Sequence, residues 1–371
     1  MCRNVFLDAP NVGELEKEYL AKAIESGFVS TVGPLVPDFE ERFAAYVGAG
    51  YAVSVQSGTA AIHIALYELG IGMGDEVIVP SLTFIATVNP ILYVGARPVI
   101  VDVDRDTWNI SPKEIEKAIT KHTRAIIPVH IYGNPCDMDK IMAIAEKYNL
   151  YVIEDAAESL GATYKGKQTG TFGHFGCFSF NGNKVLTTGG GGMVVTSNME
   201  SAKHIKFLVN QARDTSKGFY HSEMGFNYRM TNIEAALGLA QMDKLDTFLG
   251  KKKVFRERYQ KTFRDLPFVT FQQEYQGAHS SWWLTCIMVS GNIEVDGLVT
   301  ELGKRNIQSR RAFWPIDQMP YLRSFSKSCP NSYDIYQKVL CLPSSTVNTE
   351  DDIDRVASEI REVLLARSLN E

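Results

Sequence analysis

The chain has 371 residues, of which 45% are hydrophobic and 22% charged, and its net charge is −5 at neutral pH. That is enough apolar material for one large domain and a smaller one, and the acidic balance argues against a nucleic-acid binder, which needs a basic face. The opening residues hold no apolar stretch of signal-peptide length, and no run approaches the roughly 20 apolar residues that span a bilayer, so a soluble, cytoplasmic protein is expected.

In chain order, short β-branched runs recur at 52–55, 76–79, 99–104, 125–130, 150–155, 177–180 and 192–196. Amphipathic helical stretches lie between several of them, at 59–69, 112–119 and 138–148. Strands alternating with helices predict an α/β fold with a mostly parallel, doubly wound sheet. Runs such as VIVP and AIIPV are apolar throughout, as strands covered on both faces should be. From about Lys244 the pattern changes. Residues 245–266 read as a long charged helix with a solvated face; strand-like segments follow at 269–272 and 283–289, and a helix closes the chain at 351–366. The expected organisation is a large domain over 1–245 and a smaller α+β domain over 246–371. The six cysteines (Cys2, Cys136, Cys177, Cys286, Cys329 and Cys341) show no CxxC spacing, and the histidines are dispersed. Reduced, mostly buried thiols and no metal site are expected.

Three segments could carry chemistry. At Gln56-Ser57-Gly58-Thr59-Ala60-Ala61 a strand gives way to a small-residue turn and a helix. Ser57 can cap that helix, Gly58 lets backbone approach a ligand, and the free N–H groups form an anion site; a plain capped helix reads the same way. At Val152–Glu158 an apolar strand delivers Asp155 at its C-terminal end, where open α/β sheets bind ligands. A carboxylate there can keep a pyridinium nitrogen protonated, or simply cap a helix. The third segment, CFSFNGNKVLTTGGGGM, presents Lys184 on a loop between two strands, ahead of four glycines. A Schiff-base lysine needs such a position facing a cleft; a Gly-rich hairpin with a solvent lysine is the bland alternative.

These segments sit among further blocks in a fixed order: SGFVSTVGPLVPDFEERFAAYVG, SGTAA, GDEVIVPSLTFIATVNPI, VHIYGNPCDM, VIEDAAESLGATYKGKQTGTFG, SFNGNK and GFNYRMTNIEAALGLAQM. Across essentially its whole length the chain resembles the DegT-type nucleotide-sugar aminotransferases of pyridoxal-phosphate fold type I. The resemblance implies pyridoxal 5′-phosphate (PLP) as cofactor, Lys184 as the catalytic residue that bonds to it, and Asp155 on its pyridine nitrogen. It places Glu158 near the cofactor hydroxyl, Phe84 on the ring face, and Gly58, Thr59 and Ser179 on the phosphate. Asn227 would reach the phosphate of a neighbouring subunit, giving a homodimer with shared active sites. Arg229, in the same block, could serve the site or brace the interface. L-glutamate would be the amino donor. The acceptor would be a nucleotide-linked 4-keto-6-deoxy sugar used in polysaccharide biosynthesis. The wording is closest to enzymes acting on UDP-2-acetamido-2,6-dideoxy-hexos-4-ulose, in legionaminic acid or bacillosamine-type pathways. GDP-4-keto-6-deoxymannose, the substrate of perosamine synthases, is the alternative, as is a sugar dehydratase on the same fold. The lysine at 184 tells against that dehydratase, since some such relatives carry histidine there. Two departures affect the site: Gly189–Gly192 stands where many relatives have GEGG, and Arg311 and Asp317 replace the usual proline and histidine.

Overall fold

The computed structural model describes residues 3–291, 293–325 and 328–368. Its centre is a seven-stranded sheet: β1 (Tyr51–Val55), β2 (Glu76–Pro80), β3 (Arg97–Val101), β4 (Thr123–Ile126), β5 (Tyr151–Asp155), β6 (Phe175–Ser179) and β7 (Gly192–Thr196). The spatial order is β1-β7-β6-β5-β4-β2-β3, and only β7 runs antiparallel to its neighbours. The expected mixed, mostly parallel α/β sheet is therefore present. Its strands are buried on both faces because helices cover both, which is why their sequences are apolar throughout.

The helices are α1 (Glu14–Glu25), α2 (Leu35–Val47), α3 (Gly58–Glu68), α4 (Asn89–Tyr93), α5 (Pro112–Ala118), α6 (Met138–Tyr148), α7 (Met199–Leu208) and α8 (Asn232–Met242). Helix α6 shows how local sequence fixes such an element. Asp137 accepts the Lys140 N–H at its start, and Asn149 ends it in the left-handed conformation. Helix α3 is apolar nearly all round, and accordingly almost every residue in it is buried.

A long helix, α9 (Leu245–Phe263), leads to a four-stranded antiparallel sheet of β8 (Val269–Phe271), β9 (Thr285–Val289), β10 (Arg310–Arg311) and β11 (Val339–Leu342), ordered β8-β9-β11-β10. Helices α10 (Val295–Lys304), α11 (Pro330–Lys338) and α12 (Glu350–Ser368) accompany it. Phe255, Tyr259 and Phe263 of α9 pack with Ile353, Val356 and Ile360 of α12 over this sheet in a separate core. The N-terminal segment joins that core. Val5 bridges to Ile307, and the Phe6 and Leu7 N–H groups donate to Asn348 and Gln308.

Several element ends differ from the sequence expectation. The strand expected over 125–130 ends at Ile126; beyond it only Val129 continues as an isolated bridge to Asp155. The strand expected from 283 starts at Thr285, because Trp282 has a positive φ of 46° and Trp283 turns its indole N–H toward the Asn183 carbonyl. The five cysteines within the described residues form no disulfide and are buried; Cys2 lies outside them. Among the described residues no helix is long and apolar enough to cross a membrane.

Candidate active site

The C-terminal ends of β1, β5 and β6 and the start of the reversed strand β7 meet at one edge of the sheet. There they enclose a cavity of about 590 Å³. Gly58, Thr59, Phe84, Asp155, Glu158, Ser179 and Lys184 all line it. These residues span more than a hundred positions of sequence, and the sheet collects them because its parallel strands place their C-termini on the same side.

Ser57 caps α3 by accepting the Ala60 N–H at 3.0 Å, and the Ser57 carbonyl takes the Ala61 N–H. Of the helix's first amides this leaves Gly58 and Thr59 for a ligand. Gly58 lies so close to β6 that a Cβ on it would sit 2.9 Å from Ser179 Cβ. The Ser179 hydroxyl is thus held against the helix start, and the two form a cradle of the kind a phosphate fills.

Asp155 is 5% exposed. Thr87 donates its hydroxyl to Oδ2 at 2.7 Å, and the Ala157 N–H reaches Oδ1 at 3.1 Å. It forms no ion pair among the described residues, and burial pushes its carboxyl above the usual range, against the pull of those two donors. A buried carboxylate lacking a cation fits a cationic ring nitrogen. The preceding residue, Glu154, points to the other face of the strand. It accepts the Gly170, Phe172 and Gly173 N–H groups and meets His130 Nε2 at 3.0 Å, so it anchors a loop and takes no part in the cavity.

Lys184 Nζ stands 3.9 Å from Glu158 Oε1 and 4.0 Å from the centre of the Trp283 ring. Burial pulls the lysine's pKa down, with Glu158 and Asp155 opposing. Burial also pushes Glu158 up to about 6, with Lys184 and the Tyr132 N–H, 2.7 Å from Oε2, opposing. An amine in such surroundings loses its proton readily and becomes a nucleophile. The loop holding it is braced from outside: Trp283 Nε1 donates to Asn183 O at 2.7 Å, and Asn183 Nδ2 donates to Asp8 at 3.1 Å.

Phe84 is 55% exposed at the cavity mouth and tilts against Phe313, 5.8 Å between ring centres. Asn227 is exposed and does not line the cavity; it pairs with Asn210. Arg229 is half-buried and also lies outside the lining. Of the two replaced residues, Arg311 points away, to Asp296 and to the carbonyls of Tyr336 and Gln337 that end α11. Asp317 is buried against Ser81 and Gln318, also outside the cavity. Among the glycines, a Cβ on Gly190 would meet Glu234 at 3.6 Å, an ordinary contact, so glycine is not required there. A Cβ on Gly192 would fall 2.6 Å from the Ser57 carbonyl carbon and 2.7 Å from Phe178 O.

Sequence reasoning did not single out Asp8, Thr87, Trp283 or Arg310. Arg310 lines the cavity beside Phe313 and Trp283, its guanidinium 4.7 and 5.9 Å from their ring centres. The arginine in SRRAFWP was visible only as part of a divergent motif, and nothing in the sequence brings Asp8 or Trp283 to a lysine at 184.

This fold, with an open helix start, a buried carboxylate and a buried lysine at its strand ends, is that of a PLP-dependent transferase. The chain belongs to the DegT/DnrJ/EryC1/StrS aminotransferase family, whose profile matches residues 10–361. It is a nucleotide-sugar aminotransferase that uses PLP. It is 41% identical over 367 residues to Bacillus subtilis EpsN, provisionally assigned as a PLP-dependent aminotransferase, covering 96% of this chain and 95% of that one. It is 39% identical over 353 residues to the GDP-perosamine synthase of Escherichia coli O157:H7, covering 95% and 96%. Among solved structures, the PLP form of Spr1654 from Streptococcus pneumoniae, provisionally assigned as a sugar aminotransferase, superposes with a TM-score of 0.93. It is 28% identical and covers 98% of this chain and 99% of that one.

Proposed function

We propose that the enzyme moves the amino group of L-glutamate to C4 of a nucleotide-linked 4-keto-6-deoxy sugar, with UDP-2-acetamido-2,6-dideoxy-hexos-4-ulose as first candidate. The observation that carries the reading is the placement of Lys184 beside Glu158 and Asp155 in one cavity of a chain from this family. Bound PLP supplies the electron sink that stabilises negative charge on the carbon losing or gaining nitrogen. Asp155 keeps the ring nitrogen cationic. Gly58, Thr59 and Ser179 hold the phosphate, and Phe84 covers the ring. Lys184 Nζ anchors the cofactor at rest and, once released, takes and returns the proton at the reacting carbon. Arg310 forms no ion pair among the described residues, and so offers a charge for a carboxylate of the amino donor.

The GDP-linked sugar is the second reading, favoured by the relative named GDP-perosamine synthase. The test is to give the purified enzyme glutamate with the UDP- and GDP-linked 4-keto-6-deoxy sugars, weigh the products and assay 2-oxoglutarate. An amino sugar from one nucleotide and not the other selects between the readings. A product that has lost a hydroxyl without gaining nitrogen would show a dehydratase. Arg310→Gln should raise the KM for glutamate and leave that for the sugar; the reverse pattern would move Arg310 to the sugar nucleotide.

A further inference from the structure

The arginines at the end of α9 differ in their partners. Arg258 pairs with Glu350 and Asp354. Arg256 and Arg264 form no ion pair among the described residues, although Arg256 is only 7% exposed. The Arg256 guanidinium lies 4.0 Å from the centre of the Phe271 ring and makes one long hydrogen bond, from Nη2 to Gln272 O at 3.4 Å. Burial pulls its pKa down to about 10, with the Glu274 carboxylate opposing. Arginine is rarely buried without a partner, because its desolvation must be offset by hydrogen bonds and opposite charge.

Beside it opens a cleft of about 430 Å³. Arg256, Gln260 and Arg264 line one side, four residues apart and so on one face of the helix, and Thr270 and Gln273 line the other. The acid in this lining is Glu274, whose Oε1 is engaged by the Ser280 N–H at 2.5 Å. Two guanidiniums thus face the cleft against one carboxylate. A separate void of about 10 Å³ is lined by Arg256, Glu274 and Asn134, whose Oδ1 is a buried acceptor without a partner. It has room for about one water, which would occupy one of the five guanidinium N–H donors. None of the residues lining the cleft lines the active cavity.

We propose that this cleft is a second binding site, for a phosphate-bearing small molecule, with Arg256 and Arg264 on the phosphate and the Gln260 amide on the group attached to it. Two arginines lining one cleft suit a dianionic phosphate, and the volume exceeds what phosphate alone needs.

The test uses PLP-loaded enzyme, so that the cofactor's phosphate cradle is filled. Inorganic phosphate, glucose 1-phosphate and succinate are titrated by calorimetry at constant ionic strength. Saturable binding of the two phosphates is expected, with Kd on the order of 1 mM. Arg264→Gln should weaken it at least tenfold without changing the KM of the sugar substrate. Gln260→Glu should abolish it and, by giving Arg256 a carboxylate, raise the melting temperature in phosphate-free buffer. Binding that both variants leave unchanged, or the absence of saturable binding, would overturn the proposal. Succinate binding as tightly as phosphate would overturn the ligand class.

Discussion

Replacing Asp155 with asparagine isolates one charge with little else disturbed. In the protein as it stands, Thr87 donates to Asp155 Oδ2 and its oxygen lies 2.7 Å from Thr83 Oγ1, which is 3.3 Å from Phe84 O. In the Asp155→Asn variant the new side-chain amide would donate to Thr87. Thr87 would then donate to Thr83, Thr83 to the Phe84 carbonyl, and the remaining side-chain oxygen would keep the Ala157 N–H. Every hydrogen bond survives by reversing the chain of hydroxyls. Burial disfavours the Asp155 charge in the cofactor-free protein, so the cofactor-free variant should melt at or slightly above the parent. Catalysis should respond in the opposite sense. Losing one preorganised electrostatic partner costs about 3–4 kcal/mol of barrier, on the order of a 100- to 1000-fold loss in rate. Both half-reactions should slow together, because both need the ring nitrogen cationic. Single-turnover absorbance of the cofactor, first with glutamate and then with keto sugar, measures each. If the variant melts like the parent and both steps run within about threefold of it, a difference of under ~1 kcal/mol, Asp155 does not act on the ring nitrogen.

Glu158 gives a pH prediction for the cofactor-free protein. Its folded pKa, about 6, lies above the ordinary 4.5, so the folded state holds the proton more tightly and stability falls as pH rises between those values. Glu158→Gln should flatten that fall by about 1–2 kcal/mol in denaturant titrations at pH 4.5 and 6.5; an unchanged slope would assign it elsewhere. Gly192→Ala should cost about 2–3 kcal/mol of stability and weaken cofactor retention, since its Cβ meets backbone on two sides. Gly190→Ala should be nearly silent, and equal effects in calorimetry would contradict the packing. For the shared homodimer site we propose, Lys184→Ala and Asn227→Ala should each be nearly inactive alone. Mixed dimers should recover part of the activity, because one of their two sites is intact; verified subunit exchange without recovery would remove Asn227 from the site.

The local physics was legible in the sequence. Apolar runs of four or five residues dictated buried strands, and Ser57 marked a helix start by its capping oxygen. Ordered motifs named Gly58, Asp155, Glu158 and Ser179, which the sheet brings to one cavity with Lys184. Other features depended on contacts that chain order does not carry. The reversal of β7 between β1 and β6 is a matter of register between distant strands. The lysine loop is braced by Asp8 and Trp283, one 175 residues before Asn183 and the other 100 after it. The replacements at 311 and 317 read in sequence as altered substrate contacts, yet both side chains turn from the cavity. Arg311 finds an acid and free helix-end carbonyls; Asp317 finds a buried hydroxyl and an amide. Sequence fixes which groups a residue carries, but where a charged side chain points depends on which partners the fold places within reach.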